Sequence, residues 1–253
     1  MSVGMTLAAG VAVLSTQPVA ATPGVFPLIE LRQYTLHEGQ RDTLIDLFER
    51  EFVESQEAVG MKVIGTFRDL DRPNRFVWVR GFKDMDARLA GLTSFYDGSL
   101  WKSHRDAANA TIIDNDNVLL LRAPSAAAVF KAARARPSLG ESAPAGLIIA
   151  TIYYLNTQPA DALRLFESRV KPELERSDVE PLAWFVPETA PNNFRLPVRE
   201  GERVLVWFAR FTDAADHAAH KPIFDKSAAL LAPFFAKPPE VLRLEPTSRS
   251  ELR

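Results

Sequence analysis

Trp78-Val79-Arg80-Gly81-Phe82-Lys83-Asp84 is echoed further along the chain by Trp207-Phe208-Ala209-Arg210-Phe211-Thr212-Asp213, with Trp, Phe and Asp keeping their spacing. The agreement extends outward. Upstream, Leu44, Leu47, Phe48 and Glu49 return as Ala162, Leu165, Phe166 and Glu167; downstream, Phe95 returns as Phe224. The turn Pro73-Asn74-Arg75-Phe76 returns as Pro191-Asn192-Asn193-Phe194, after which the second copy inserts Arg195 to Arg203. Self-similarity of this kind predicts an internal duplication.

Each copy reads strand, helix, strand, strand, helix, strand. From Leu28 to Leu36, Ile29, Leu31, Gln33 and Thr35 alternate with Glu30, Arg32, Tyr34 and Leu36, the period of a strand. Leu44, Leu47, Phe48 and Phe52 then recur at helical spacing, with Asp46, Glu49 and Arg50 on the solvated side. Lys62 to Asp69 and Asn74 to Phe82 predict strands flanking the turn Asp71-Arg72-Pro73-Asn74. Asp84 to Thr111 predicts a helix broken near Gly91 and again near Gly98, and Val118 to Arg122 completes the unit.

The first unit covers residues 28–122, Pro/Ala/Ser-rich residues 123–145 link it to the second, and the second covers 146–247, opening on the strand Leu147 to Leu155. The expected class is α+β: two tandem ferredoxin-like (β-α-β-β-α-β) repeats, each with its helices on one face of an antiparallel sheet. The bare faces are expected to dock sheet to sheet as a barrel-like sandwich. Phe76 and Trp78 share one face of the third strand and Val77 and Val79 the other, so neither face is suited to solvent.

At 253 residues with 47% hydrophobic and 25% charged content, the composition is that of an ordinary globular protein. The 30 basic and 32 acidic residues give a net charge of -2 with no basic run, which argues against nucleic acid and anionic membrane surfaces as partners. Zero cysteines exclude disulfides, thiolate metal sites and thiol nucleophiles. Residues 1–27 read as a signal-like or disordered segment. Thr6 to Ala21 is apolar and ends in small residues, yet the first basic residue is Arg32. A cleaved signal would place the protein in the periplasm or outside the cell; a plain Ala-rich tail would leave it in the cytoplasm. The segment is too short for a conventional membrane-spanning helix, so no integral membrane segment is expected.

Dinucleotide-binding, P-loop, α/β-hydrolase and zincin signatures are all missing from the sequence. Asp213, His217 and His220 fall at i, i+4 and i+7, but their counterparts Asp84, Arg88 and Gly91 do not ligate metals, so a solvated helix face explains them and no metal or other cofactor is expected. His104, beside Arg105 and Asp106, is offered as a base or haem ligand against the plainer reading of a surface histidine; Phe95, Tyr96 and Trp101 read mainly as a core stripe.

The stronger candidate is a mixed strand face. Period-2 geometry puts Glu30, Arg32 and Tyr34 on one side of the first strand, Thr66 and Arg68 on one side of the second, and Phe76, Trp78 and Arg80 on one side of the third. If those sides coincide, they bring together more charge than a structural sheet face tolerates. The alternative is that Arg68 and Arg80 lie near strand ends and reach water. The second copy offers Tyr154 and Trp207, and its insertion adds Arg195, Arg199, Glu200 and Arg203 as a lid.

Phe95-Tyr96-Asp97-Gly98-Ser99-Leu100-Trp101-Lys102, Ala108-Asn109-Ala110-Thr111, Val118-Leu119-Leu120-Leu121-Arg122 and Leu196-Pro197-Val198-Arg199-Glu200-Gly201-Glu202 resemble the NIPSNAP family, as does the opening Ile29-Glu30-Leu31-Arg32-Gln33-Tyr34. The resemblance implies a dimeric α/β-barrel fold, shared with small cofactor-independent monooxygenases and haem-handling proteins, and leaves open whether the chain forms homo-oligomers. It implies no particular activity. Two functional readings follow: a binder of a small anionic or aromatic ligand in a barrel pocket, and a cofactor-independent monooxygenase or isomerase using that pocket, with Tyr34 or Glu30 as acid/base and an arginine stabilising an enolate or phenolate. A filled barrel serving only as an interaction module is the third.

Overall fold

The computed structural model describes residues 24–131, 135–142 and 145–253; the signal-like stretch Thr6 to Ala21 lies outside them. The first half comprises β1 (Leu28–Leu36), α1 (Arg41–Leu47), a π-helical turn (Phe48–Phe52), α2 (Val53–Glu57), β2 (Lys62–Asp69), β3 (Arg75–Phe82), α3 (Met85–Tyr96), α4 (Ser99–Asn109), the short β4 (Ile112–Asp114) and β5 (Val118–Arg122). The second comprises β6 (Leu147–Tyr154), α5 (Pro159–Leu165), a π-helical turn (Phe166–Val170), α6 (Lys171–Arg176), β7 (Pro181–Pro187), β8 (Val204–Phe211), α7 (Ala214–Ala219), α8 (Lys221–Leu231) and β9 (Glu240–Pro246).

The strands follow the order β3-β2-β9-β6-β8-β7-β5-β1-β4, and β1 also pairs with β3, so all except β4 lie on one closed antiparallel barrel. The halves therefore meet through hydrogen-bonded edges. Phe67, Arg68 and Asp69 of β2 pair with β9, and Leu121 and Arg122 of β5 pair with β7. Joining the edges in this way removes the unpaired ladders that each sheet would otherwise present to solvent.

Side-chain alternation divides the apolar residues into two layers. Ile29, Leu31, Val77, Val79, Leu119 and Leu121 pack with Ile148, Ala150, Phe208, Leu242 and Leu244 as the barrel interior. On the outer face of the first half, Tyr34, Phe76 and Trp78 pack under Leu44, Phe48, Phe52, Leu92 and Phe95 from the helices. The barrel interior is thus filled with hydrocarbon, and the charged strand face looks outward beneath the helices instead.

Gly91 does not interrupt α3, contrary to the expectation of a break there. A Cβ at this position would lie 2.7 Å from Met61 Cγ, so the glycine lets the helix close on the loop that leads into β2. The true break is at Asp97-Gly98, where Gly98 caps α4. Asp84 starts α3 by accepting a hydrogen bond from the Ala87 N–H at 2.8 Å, and Asp213 starts α7 in the same way, accepting from the Asp216 N–H at 2.8 Å. Among the described residues, no helix is long and apolar enough to cross a membrane.

Candidate functional site

The register of β1 on β3 sets Glu30 opposite Arg80, Arg32 opposite Trp78 and Tyr34 opposite Phe76, which gathers the predicted face into one place. Glu30 and Arg80 are 0% exposed and Arg32 1%. The Glu30 carboxylate is held by three guanidinium groups: Arg32 at 2.8 Å, Arg80 at 2.5 Å and Arg88 at 2.7 Å. Burial alone would raise the Glu30 carboxyl, but Arg80, Arg32 and Arg88 hold it well below the usual carboxylate range.

Arg80 also donates to Gln56 Oε1 at 3.0 Å, and Gln56 is itself fixed by donating to the Phe52 carbonyl at 2.8 Å. Arg88 reaches the cluster from α3 and donates its other end to Asn192 Oδ1 at 3.0 Å and Asn193 Oδ1 at 2.7 Å. One carboxylate against three guanidinium groups leaves two positive charges in a water-poor site. Uncompensated charge there costs several kcal/mol per ion, so the cluster favours an anion.

Arg32 carries this field to a cavity of about 250 Å³ between the sheet and the helices, lined also by Tyr34, Phe48, Trp78, Tyr96 and Trp101. Its Nε donates to the Tyr34 hydroxyl at 3.0 Å, and its guanidinium carbon lies 5.5 Å from the Trp78 ring centre, within cation–π range. The Tyr34 oxygen accepts from Arg32, which leaves the phenolic proton free for a ligand. Burial pushes the Tyr34 hydroxyl above its ordinary pKa despite Arg32, so it stands as a proton donor near neutrality. The buried Trp78 indole N–H has no acceptor among the described residues.

Arg68, expected on the same face, does not join them. It lies toward the end of β2 and pairs with Asp42 at 2.8 Å near the surface, so the strand-end alternative holds for Arg68 and fails for the fully buried Arg80. The second-half candidates also lie apart. Trp207 is buried and packed 5.2 Å from Phe224 and 5.9 Å from Phe166. Tyr154 donates to Glu240 at 2.9 Å and accepts from Arg199 at 3.1 Å, and Arg199 borders a separate cleft of about 800 Å³. By register, Ile149, Thr151 and Ala209 occupy the second-half positions of Glu30, Arg32 and Arg80, so the ionic cluster exists in one half only.

Glu30 does not border the cavity and both its oxygens are engaged, so of the two proposed acid/base residues only Tyr34 reaches a ligand. Sequence reasoning missed Arg88 and Gln56. Their signal was helical spacing: Arg88 precedes Leu92 and Phe95, and Gln56 follows Phe52, each a polar residue within an apolar stripe. His104 is 33% exposed and 3.6 Å from Glu51, at the surface. No group of three or more His, Asp or Glu side chains able to hold a metal occurs among the described residues.

The inserted loop of the second half covers this cavity. Arg195 and Leu196 border it, Phe194 lies 5.8 Å from Tyr96, and the Asn193 amide donates to the Met85 carbonyl at 2.7 Å. Arg195, expected as part of a lid, is therefore a wall of a cavity that belongs to the other half.

Residues 29–126 match the NIPSNAP protein-family model. No curated protein sequence matches the chain. Among solved structures, a "putative monooxygenase" from Fusobacterium nucleatum superposes with a TM-score of 0.57 at 9% identity, covering 90% of this chain and 97% of its own. One of the same description from Lactobacillus acidophilus gives 0.55 at 13% identity, covering 90% and 97%. An anthrone oxidase-like protein gives 0.55 at 9%, covering 87% of this chain and 91% of its own. At such identities the likeness is one of fold.

Proposed function

With residues 29–126 a NIPSNAP domain, we propose that the protein binds a small planar anion in the helix-covered cavity of that domain. The observation that carries this reading is the excess of two positive charges buried at Glu30, Arg32, Arg80 and Arg88 and delivered to the cavity by Arg32. A guanidinium matches a carboxylate in two parallel hydrogen bonds, and the surrounding Trp78, Tyr96 and Trp101 offer stacking area.

Intrinsic fluorescence tests this, because Trp78 and Trp101 both border the cavity. Benzoate and 2-naphthoate should alter the emission saturably, and uncharged benzamide should not. Equal responses to acid and amide, or none to either acid, would overturn the reading.

A catalytic reading is supported by the neighbours described as monooxygenases and by the free phenolic proton of Tyr34 beside a guanidinium. In it, Tyr34 donates a proton and Arg32 stabilises an enolate or phenolate. Incubation with a cell extract separates the two, since a binder retains a metabolite that an enzyme consumes.

We further infer that the fold is a pair of tandem ferredoxin-like repeats. Supporting this, the spatial order β2-β3-β1-β5 in the first half has the same pattern as β7-β8-β6-β9 in the second, and each half carries one π-helical turn in its first helical arm.

A further inference from the structure

We propose that Arg195 is a second anion anchor, so that the cavity selects one- or two-ring aromatic ligands bearing acidic groups at both ends. This rests on the binding reading above and adds the ligand's second charge. Of the residues bordering the cavity, Arg32 and Arg195 are the two cations, and none is a carboxylate. The lining also includes Phe48, Phe52, Phe95 and Trp101, which suit a ring, and its other polar residues are uncharged. A ligand with one acid group satisfies Arg32 and leaves Arg195 with only its exposed pair to Asp97. A diacid satisfies both ends.

Arg195 is held in place for this role. Its guanidinium carbon lies 4.7 Å from the Phe194 ring centre, and the loop behind it is tied down where Arg88 donates to Asn192 and Asn193. Its own ion pair, to Asp97 at 2.9 Å, joins side chains that are 56% and 57% exposed. Water screens such a pair to little net value, so Asp97 is a weak competitor for a more enclosed carboxylate. Arginine also has five N–H donors, so it can keep Asp97 while binding a ligand.

The test is calorimetric titration of the full chain with two matched pairs, benzoate with terephthalate and 2-naphthoate with 2,6-naphthalenedicarboxylate. In at least one pair the diacid should bind about tenfold more tightly, the effect of one added charge-assisted contact. Arg195→Gln should bring that diacid down to the affinity of its monoacid without altering the monoacid, while Arg195→Lys should keep part of the preference. Monoacid and diacid binding alike in both pairs would overturn the second anchor alone. So would Arg195→Gln weakening both members of a pair equally, since that marks the residue as loop scaffold. If neither monoacid binds at all, the binding reading itself fails, and this inference with it.

Discussion

Arg88 on α3 and Glu30 on β1 are joined by a 2.8 Å hydrogen bond from guanidinium Nε to carboxylate Oε1, with both side chains fully buried. The contact fastens a helix to the sheet beneath it through charge. It also means that Glu30 keeps two arginine partners when any single one is removed.

Arg32→Ala should therefore fold. It strands no carboxylate, and it reduces the buried excess of positive charge from two to one. The melting temperature should shift by less than about 4 °C, while benzoate binding weakens by about 2 kcal/mol, the worth of a charge-assisted hydrogen bond. A fall of more than about 10 °C would identify Arg32 as scaffold instead.

Acid should weaken the fold through Glu30. Its folded carboxyl is held far below its unfolded value, so on lowering the pH the unfolded chain takes up the proton first and gains. The contribution is complete above the unfolded value of about 4.3 and is lost progressively as the pH falls below it. Urea midpoints at pH 7, 5 and 3 should fall more steeply between pH 5 and 3 for the wild type than for Arg32→Ala, which loosens the hold on Glu30. Identical slopes would contradict the assignment.

Asn193→Ala should loosen the cover over the cavity. This side chain accepts from Arg88 at 2.7 Å and donates to the Met85 carbonyl at 2.7 Å, fixing the inserted loop at both ends of one amide. Limited proteolysis should cut within residues 188–203 several times faster than in the wild type, with the melting temperature little changed. Unchanged cleavage would show that other contacts hold the loop.

Residues 24–122 expressed alone should not give a stable monomer. Ile29, Leu31, Val77, Val79, Leu119 and Leu121 would lose their cover from the second half, and the edges of β2 and β5 would lose their partners. Sedimentation should find a dimer or aggregate. A folded monomer would mean that the barrel contact is dispensable.

Much of this was legible in the strand periodicity. Alternation placed Glu30, Arg32 and Tyr34 on one face of their strand and Phe76, Trp78 and Arg80 on one face of another, but bringing the two together takes the pairing of β1 with β3, which the hairpin between β2 and β3 does not set. Which face would line the barrel was not legible, because Val77 and Val79 are as apolar as Phe76 and Trp78, and hydrophobicity alone does not say whether cover comes from helices or from a second sheet. Arg68 shares the periodicity of Arg80, yet its place near a strand end lets it reach Asp42 and water. Arg88 stands out in its helix and Arg195 in its insertion, but their meeting with the face of β1 joins elements far apart in sequence, and no local pattern reports a contact of that range.

The attachment of Arg88 to Asn192 and Asn193 spans 104 and 105 residues. On a ribosome the chain emerges in order, so the buried guanidinium groups of the first half are made long before the asparagines and Arg195 that finish their surroundings. Until the second half has emerged, those guanidinium groups have neither the completed barrel beneath them nor the loop above them. Polypeptides interrupted before that point contain every residue of the cationic cluster and still lack the roof of the cavity. Closure of this cavity is thus a mark of complete synthesis as well as of correct folding.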